Sequence, residues 1–138
     1  MARAPFPTPD CWLEHWVSYG ETDAMGVVYN AEYLHLFERA RSKHCRDMGV
    51  SYREMEERGV MLPIRNASCR YRVPARYDDR IWIHCAIRDW SRASLTFVYE
   101  VWDAGRETLL AEGMTEHACV SPEGRPFRIP DWLKALFR

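Results

Sequence analysis

Two carboxylates separated by a single residue, Glu21 and Asp23, are the groups in this sequence best placed to do chemistry. They lie in a short segment with Gly20 and Gly26, just before a helical pattern that begins near Asn30. The free N–H groups at a helix start can hold an oxygen that becomes negative during a reaction, so a carboxylate there can act as a base or a nucleophile. The spacing fits equally well an aspartate that only accepts hydrogen bonds from loop amides, as Asp does in many turns.

The elements on either side of this segment are a strand and a long helix. Asn30 is the predicted N-cap, and Glu32 places a negative charge near the positive end of the helix dipole. Gly49 is the predicted end of the helix. Apolar groups recur at helical spacing between these ends: Leu34, Phe37, the stem of Arg41, Cys45 and Met48. The pattern predicts a helix of about five turns.

Other catalytic classes leave no recognisable pattern. The sequence has no G-x-S-x-G nucleophile elbow and no H-E-x-x-H spacing among its 5 histidines, and we predict no metal site. Its 5 cysteines stand singly and are odd in number, which argues against a disulfide framework and favours a cytoplasmic location. The chemistry is therefore expected to depend on a carboxylate.

A family resemblance runs through the same segment. Residues 21–34, with the sequence ETDAMGVVYNAEYL, resemble the signature of the hot-dog fold acyl-CoA thioesterases of the 4-hydroxybenzoyl-CoA thioesterase and YbgC-like family. Residues 75–79 and 89–94 are similar to two further segments of that family, and the likeness extends from about Leu13 to Ile129. It implies an α+β hot-dog fold, in which a sheet of about five antiparallel strands wraps one long helix, and an enzyme that hydrolyses acyl thioesters.

The resemblance also implies roles for individual residues. Asp23 matches the catalytic aspartate, acting either as a general base for water or as a nucleophile that forms a transient anhydride. Asn30 matches the position whose backbone amide is the second catalytic group. Many YbgC-like members have His there, so a mechanism that needs an imidazole is in doubt for this chain. The expected substrate-binding residues near the loop are Met25, Tyr29, Ala31 and Tyr33.

Coenzyme A would enter as part of the substrate, and no other cofactor is expected. Its phosphates call for arginines, and the resemblance points to Arg92 and to Arg128 in the C-terminal segment. Ser91 and Ala93 replace basic residues of the family beside Arg92, which leaves acyl carrier protein as a possible alternative carrier.

Composition predicts one globular domain. The chain has 138 residues, 47% hydrophobic and 28% charged, and a net charge of −1, so nothing in it points to nucleic acid. No window is apolar enough to span a bilayer. Residues 1–12, with three prolines, are the predicted flexible arm, and residues 13–138 the predicted hot-dog domain.

Alternating patterns place the strands. A first strand is predicted over residues 13–20, a short helix with a capping box over 51–58, and a C-terminal helix capped by Asp131. Four extended runs, 60–73, 80–89, 94–103 and 108–120, are joined by short turns and predict an antiparallel meander.

The aromatic content suggests an oligomer. The chain has 6 tryptophans, 7 tyrosines and 5 phenylalanines, more than one small core buries easily, and aromatics are enriched at interfaces. The family resemblance implies a homodimer with one continuous sheet and two active sites at its interface, or a homotetramer made of two such dimers. Two other functions stay open at this point: a hot-dog hydratase or dehydratase, for which a loop histidine is missing between Gly20 and Tyr33, and a non-catalytic acyl-CoA sensor.

Overall fold

The structure, a computed structural model, describes residues 4–138. Its strands are β1 Asp10–Trp16, β2 Ile64–Tyr71, β3 Arg80–Trp90, β4 Ser94–Trp102 and β5 Leu109–Ala118, and its helices are α1 Glu32–Met48, α2 Tyr52–Glu57 and α3 Asp131–Leu136. The five strands form one antiparallel sheet in the order β1-β3-β4-β5-β2. The predicted α+β hot-dog architecture is confirmed.

The long helix α1 packs against one face of the sheet. Its buried side chains recur every three to four residues and face alternate residues of the strands: on α1 these are Tyr33, Leu36, Phe37, Ala40, Arg41, His44 and Cys45, and on β3 and β4 they include Ile81, Ile83, Cys85, Phe97, Tyr99 and Val101. The Phe37 ring stacks on the Tyr99 ring with 4.2 Å between centroids. Gly113 of β5 makes this approach possible, since a Cβ there would lie 2.6 Å from Phe37 Cε2.

The ends of the two first helices follow local rules, with one exception. Gly49 adopts a left-handed conformation with φ of 111° and ends α1, as predicted. The capping box of α2 is present, with the Ser51 hydroxyl accepting from the Glu54 amide at 3.1 Å. The predicted N-cap Asn30 is wrong: α1 is preceded by Ala31 in helical geometry, and no side chain caps it.

The predicted meander is right only for β3, β4 and β5. The segment after β2 does not turn back as a hairpin, because Pro74 and Ala75 pass instead beside the loop that precedes α1, where the Val28 amide donates to the Ala75 carbonyl at 2.8 Å. This crossing sends β2 to the far side of β5 and leaves it as an edge strand.

The chain boundaries also differ from the sequence-based expectation. Strand β1 begins at Asp10, so residues 10–12 of the predicted arm belong to the sheet, and β1 ends at Trp16 because Tyr19 enters a short 3₁₀ turn. The Phe6 ring stacks on His84 with 3.7 Å between centroids. Flexibility of the arm stays a prediction, and residues 1–3 lie outside the described residues. Asp131 is the first residue of α3 and not its cap, which is Pro130.

Candidate active site

The loop between β1 and α1 is held in a tight reverse turn that carries Asp23. The Asp23 amide donates to the Val27 carbonyl at 2.9 Å, and the Gly26 amide donates to the Asp23 carbonyl at 2.9 Å. Gly26 has a φ of 77°, a conformation that other residues rarely adopt. The turn therefore fixes the backbone of Asp23 independently of its side chain.

The half-buried side chain of Asp23 is only partly used by the loop. Its Oδ1 accepts from the Met25 amide at 2.8 Å, which is the turn contact expected of an aspartate here. No hydrogen bond to Oδ2 occurs among residues 4–138. One carboxylate oxygen orients the side chain and the other is available to a substrate.

The start of α1 supplies unused backbone donors beside this carboxylate. The amides of Glu32 and Leu34 donate to the carbonyls of Tyr29 and Ala31, at 2.9 and 3.2 Å. Within the described part of the chain, the amides of Asn30 and Ala31 donate to no protein group. Free N–H groups at the positive end of a helix dipole suit an oxygen that gains negative charge.

Asp23 and Asn30 line one cavity of about 390 Å³. The walls are formed by the loop, the start of α1 and the segment that follows β2, and its lining residues are Asp23, Val27, Val28, Asn30, Tyr33, Tyr71, Arg72, Val73 and Pro74. A larger cavity of about 480 Å³ lies on the outer face of the sheet, beneath residues 4–7, and includes no residue of the loop.

Two tyrosines brace the helix start. The Tyr71 hydroxyl donates to the Asn30 carbonyl at 2.9 Å, and its ring meets Tyr33 edge-on with 5.2 Å between centroids. Partial desolvation, together with the neighbouring Cys69 and Tyr33, raises the pKa of Tyr71 to about 12 although its side chain is half exposed, and burial raises the pKa of Tyr33. Both phenols are therefore neutral near pH 7, and Tyr71 acts as a hydrogen-bond donor that positions the Asn30 peptide.

The second loop carboxylate, Glu21, already forms hydrogen bonds with groups of the protein. Both of its oxygens lie within 3.0 Å of His15 Nε2, and its Oε1 accepts from the Ser18 amide at 2.7 Å. Burial alone would raise the pKa of Glu21, but the Ser18 amide and His15 outweigh it and hold the pKa below its usual value. Arg39 of α1 donates to His15 Nδ1 at 3.0 Å, so the chain Arg39–His15–Glu21 ties the loop to the helix.

The predicted site residues divide into three groups. Asp23, Asn30 and Tyr33 meet at the cavity. Met25, Tyr29 and Ala31 are exposed beside it, and Met25 has 80% of its surface free. Arg92 and Arg128 lie at the opposite end of the sheet, where the Ile129 amide donates to the Arg92 carbonyl at 2.8 Å. The catalytic and binding roles of all eight residues stay predictions.

Sequence reasoning did not include Tyr71 and the three residues that follow it among the site residues. Tyr71 and Val73 were assigned to an alternating strand, and nothing in the alternation tells which neighbour a strand will have. The available signal was Pro74, which lies three residues beyond the end of β2 in the segment that returns to the loop.

Comparisons with known proteins place this geometry in a family. A family model described as the thioesterase-like superfamily matches residues 17–137. This chain belongs to that superfamily. The acyl-CoA thioester hydrolase YbgC of Escherichia coli O157:H7 is 34% identical over 123 residues, covering 88% of this chain and 91% of the relative. The acyl-CoA thioesterase YbgC of Haemophilus influenzae is 32% identical over 124 residues, covering 88% and 89%.

A solved thioesterase has the same fold as this superfamily member. The 1,4-dihydroxy-2-naphthoyl-CoA thioesterase of Synechocystis superposes with a TM-score of 0.86 at 25% identity, covering 93% of this chain and 95% of the other. The family resemblance expected from residues 21–34 is confirmed. No helix of the described chain is long and apolar enough to cross a membrane.

Proposed function

We propose that this thioesterase-superfamily member hydrolyses an acyl-CoA thioester, with Asp23 as the reacting carboxylate and the amides of Asn30 and Ala31 as donors to the carbonyl oxygen. The reaction class follows from the superfamily and from relatives that are named acyl-CoA thioester hydrolases. The observation that carries the residue assignment is a carboxylate with one free oxygen and an unused helix amide on the walls of one cavity.

The chemistry needs only these groups. A thioester carbonyl is electrophilic, so binding its oxygen at the helix start lowers the barrier to attack on the carbon. The free Oδ2 of Asp23 then either removes a proton from an attacking water, or attacks that carbon directly to form an anhydride that water afterwards hydrolyses to the free acid and the Asp23 carboxylate. The sulfur leaves as the CoA thiolate and takes up a proton. A hydratase would require an imidazole, and no histidine is among the residues that line the cavity.

The test is release of free thiol from a panel of acyl-CoAs, from short to long aliphatic chains plus benzoyl- and hydroxybenzoyl-CoA. The native protein is compared with Asp23→Asn and with Glu32→Gln, a carboxylate in the first turn of α1 that lies outside the cavity. We expect Asp23→Asn to lower turnover on the order of 10²-fold or more and Glu32→Gln to lower it little. Equal activity in all three proteins would contradict the assignment of Asp23.

We further propose that the working unit is a dimer joined through β2. This strand is one of the two edges of the sheet, and all of its residues except Cys69 are exposed. Apolar side chains along the same side of the molecule are also exposed: Tyr29, Leu34, Ile64, Tyr71 and Val73. An edge strand with exposed apolar neighbours is the kind of surface that a second copy covers by strand pairing.

Strand direction gives this dimer a role in the site. Within one chain Tyr71 lies at the Asp23 end of β2, whereas Ile64 lies at the other end, level with His117 and Leu95 and close to Arg92. Antiparallel pairing of two β2 strands places Ile64 of each copy beside Tyr71 of the other. Arg92 and Arg128 would then approach the cavity of the neighbouring copy, where they can bind the CoA phosphates.

Mixing two inactive variants tests this arrangement. Asp23→Asn is unfolded and refolded together with the double variant Arg92→Ala/Arg128→Ala, and thiol release is measured at low acyl-CoA concentration. If the site uses residues of both copies, mixed dimers contain one intact site and an equal mixture recovers about a quarter of native activity. Recovery no higher than the sum of the two variants alone would contradict the shared site.

A further inference from the structure

A buried guanidinium without a counter-ion lies in the middle of α1. Arg41 is 7% exposed, and its Nε has no hydrogen-bond partner. None of the ion pairs formed by residues 4–138 includes Arg41. Burial would lower the pKa of Arg41, but Tyr99 and Tyr52 outweigh burial and raise it, so the side chain is charged.

The hydrogen bonds that Arg41 does make end on neutral groups. Arg41 NH1 donates to the Tyr99 oxygen at 3.4 Å, and the Tyr99 and Thr115 oxygens are 2.6 Å apart. His117 Nδ1 faces the Leu62 carbonyl at 2.9 Å and must donate to it, so Nε2 accepts from Thr115 at 2.8 Å. The chain therefore runs in one direction, from Arg41 through Tyr99, Thr115 and His117 to a carbonyl. None of its acceptors is anionic.

A buried charge of this kind calls for an anion. Leaving a charged group unpaired away from water is costly, and proteins normally supply a counter-charge. Arg41 lines a cavity of about 230 Å³ together with Glu38, Ser42 and Tyr52. The Tyr52 hydroxyl is also buried without a hydrogen-bond partner. The Arg41 Nε and the Tyr52 hydroxyl, both buried without a hydrogen-bond partner, thus belong to residues that line the same cavity.

This cavity lies along the helix from the candidate active site. Leu34, Glu38 and Ser42 follow one another at intervals of four along one side of α1, and Asn30 lies two residues before its first residue. Asn30 lines the active-site cavity, whereas Glu38 and Ser42 line the second one. The rise from the N-cap Ala31 to Glu38 is about 10 Å, and a helical side chain such as Arg41 points back toward the helix start.

We propose that the cavity of Glu38, Arg41, Ser42 and Tyr52 binds a carboxylate at the far end of the acyl group, so that the preferred substrates are monothioesters of dicarboxylic acids. The proposal rests on the thioesterase function proposed above. An extended chain advances about 3.5 Å for every three bonds, so about 10 Å corresponds to an acyl chain of about eight carbons. Glu38 lines the same cavity, and its negative charge would repel the carboxylate of the substrate. Removing that charge is therefore a second way to test the site.

The experiment compares substrates that differ only at their far end. We measure kcat/KM for suberoyl-CoA and octanoyl-CoA, both with eight carbons, and for succinyl-CoA and butanoyl-CoA, which are too short to reach Arg41. We expect a preference for suberoyl over octanoyl of about tenfold or more, as charge-assisted hydrogen bonds give, and no such preference in the short pair. No suberoyl preference in the native protein would overturn the proposal.

Two variants attribute the preference to the cavity. Arg41→Met should reduce the suberoyl-to-octanoyl ratio about tenfold or more, and Glu38→Gln should increase it, because one removes the attracting and the other the repelling charge. The ratio cancels a general loss of activity. A ratio unchanged in Arg41→Met would overturn the proposal.

One binding measurement and one stability measurement distinguish failure of the carboxylate site from failure of the proposed thioesterase function. If no thioester is hydrolysed, the proposed thioesterase function fails, but the anion-binding cavity can still be tested. Octanedioate and octanoate are titrated into the protein by calorimetry. Tighter binding of octanedioate than of octanoate to the native protein, with the difference lost in Arg41→Met, supports the carboxylate site, and equal binding of the two to the native protein overturns it. Because its charge is unpaired, Arg41→Met should be at least as stable as the native protein without ligand. Destabilisation together with loss of the dimer would instead identify the counter-ion as a carboxylate of a second copy and overturn the proposal.

Discussion

At the scale of single residues, the two loop carboxylates have separate tasks. Asp23 keeps one oxygen free at the cavity, whereas both oxygens of Glu21 are held by His15 and one also by the Ser18 amide. The Glu21 carbonyl accepts from the Tyr29 amide at 2.9 Å and so closes the loop. Glu21 is therefore a positioning residue for the loop that carries Asp23.

Replacing Glu21 with Gln should weaken this support without removing the reacting group. We expect kcat to fall on the order of 10-fold, a smaller loss than for Asp23→Asn, because a displaced loop misplaces the carboxylate. The measurement is steady-state thiol release with the best acyl-CoA. Glu14→Gln is the matched control, since Glu14 is an exposed carboxylate of β1 that pairs with Arg80. Loss as large as that of Asp23→Asn would assign the chemistry to Glu21.

At the scale of elements, local patterns identified the helix and the strands but not their neighbours. The end of α1 at Gly49 and the capping box of α2 follow from side chains and backbone within four residues, and both are confirmed. The start of α1 was wrong by one residue: Ala31 precedes the helix, no side chain caps it, and the Asn30 carbonyl instead accepts a tertiary hydrogen bond from Tyr71. The crossing of β2 depends on pairing between residues 27–28 and 75–76, which no periodicity encodes.

The same limit applies to the site. The motif identified Asp23 and Asn30, which share a cavity, because both lie within one short segment of the chain. It did not identify Tyr71, which reaches them across 41 residues of sequence. Arg92 and Arg128 lie at the far end of the same sheet, and a single chain cannot bring them to Asp23.

The packing of α1 on the sheet depends on Gly113. In Gly113→Ala, the added methyl group would lie 2.5 Å from the Ser68 carbonyl oxygen and 2.6 Å from Phe37 Cε2. We expect the free energy of unfolding to fall by about 1 to 3 kcal/mol, as overpacking does, measured by urea denaturation. Gly20→Ala is the control, because open space surrounds that position. Equal stability of the two variants would show that α1 adjusts freely.

At the scale of the whole molecule, buried histidines make stability depend on pH. Burial lowers the pKa of His117 to about 4 and also lowers the pKa of His44. An unfolded histidine titrates near pH 6.5, so between about pH 6.5 and 4 the unfolded chain binds more protons than the folded one. Acid in this window therefore favours unfolding.

The free energy of unfolding should fall with decreasing pH across that window, by up to about 1.4 kcal/mol per pH unit for each such histidine. Urea denaturation at several pH values measures this slope. His117→Gln should flatten it in part, because His44 remains, and the exposed His35→Gln should leave it unchanged. A slope that His117→Gln does not alter would show that His117 is not the group that titrates.

The most direct test of Asp23 as the reacting carboxylate separates binding from chemistry in Asp23→Asn. The best acyl-CoA is first titrated into the variant by calorimetry, and thiol release is then followed in a single turnover from the preformed complex. If Asp23 reacts with the thioester, we expect binding within a few-fold of the native Kd and a chemical step slower on the order of 10²-fold or more. Thiol release at the native rate from a fully formed complex would contradict it.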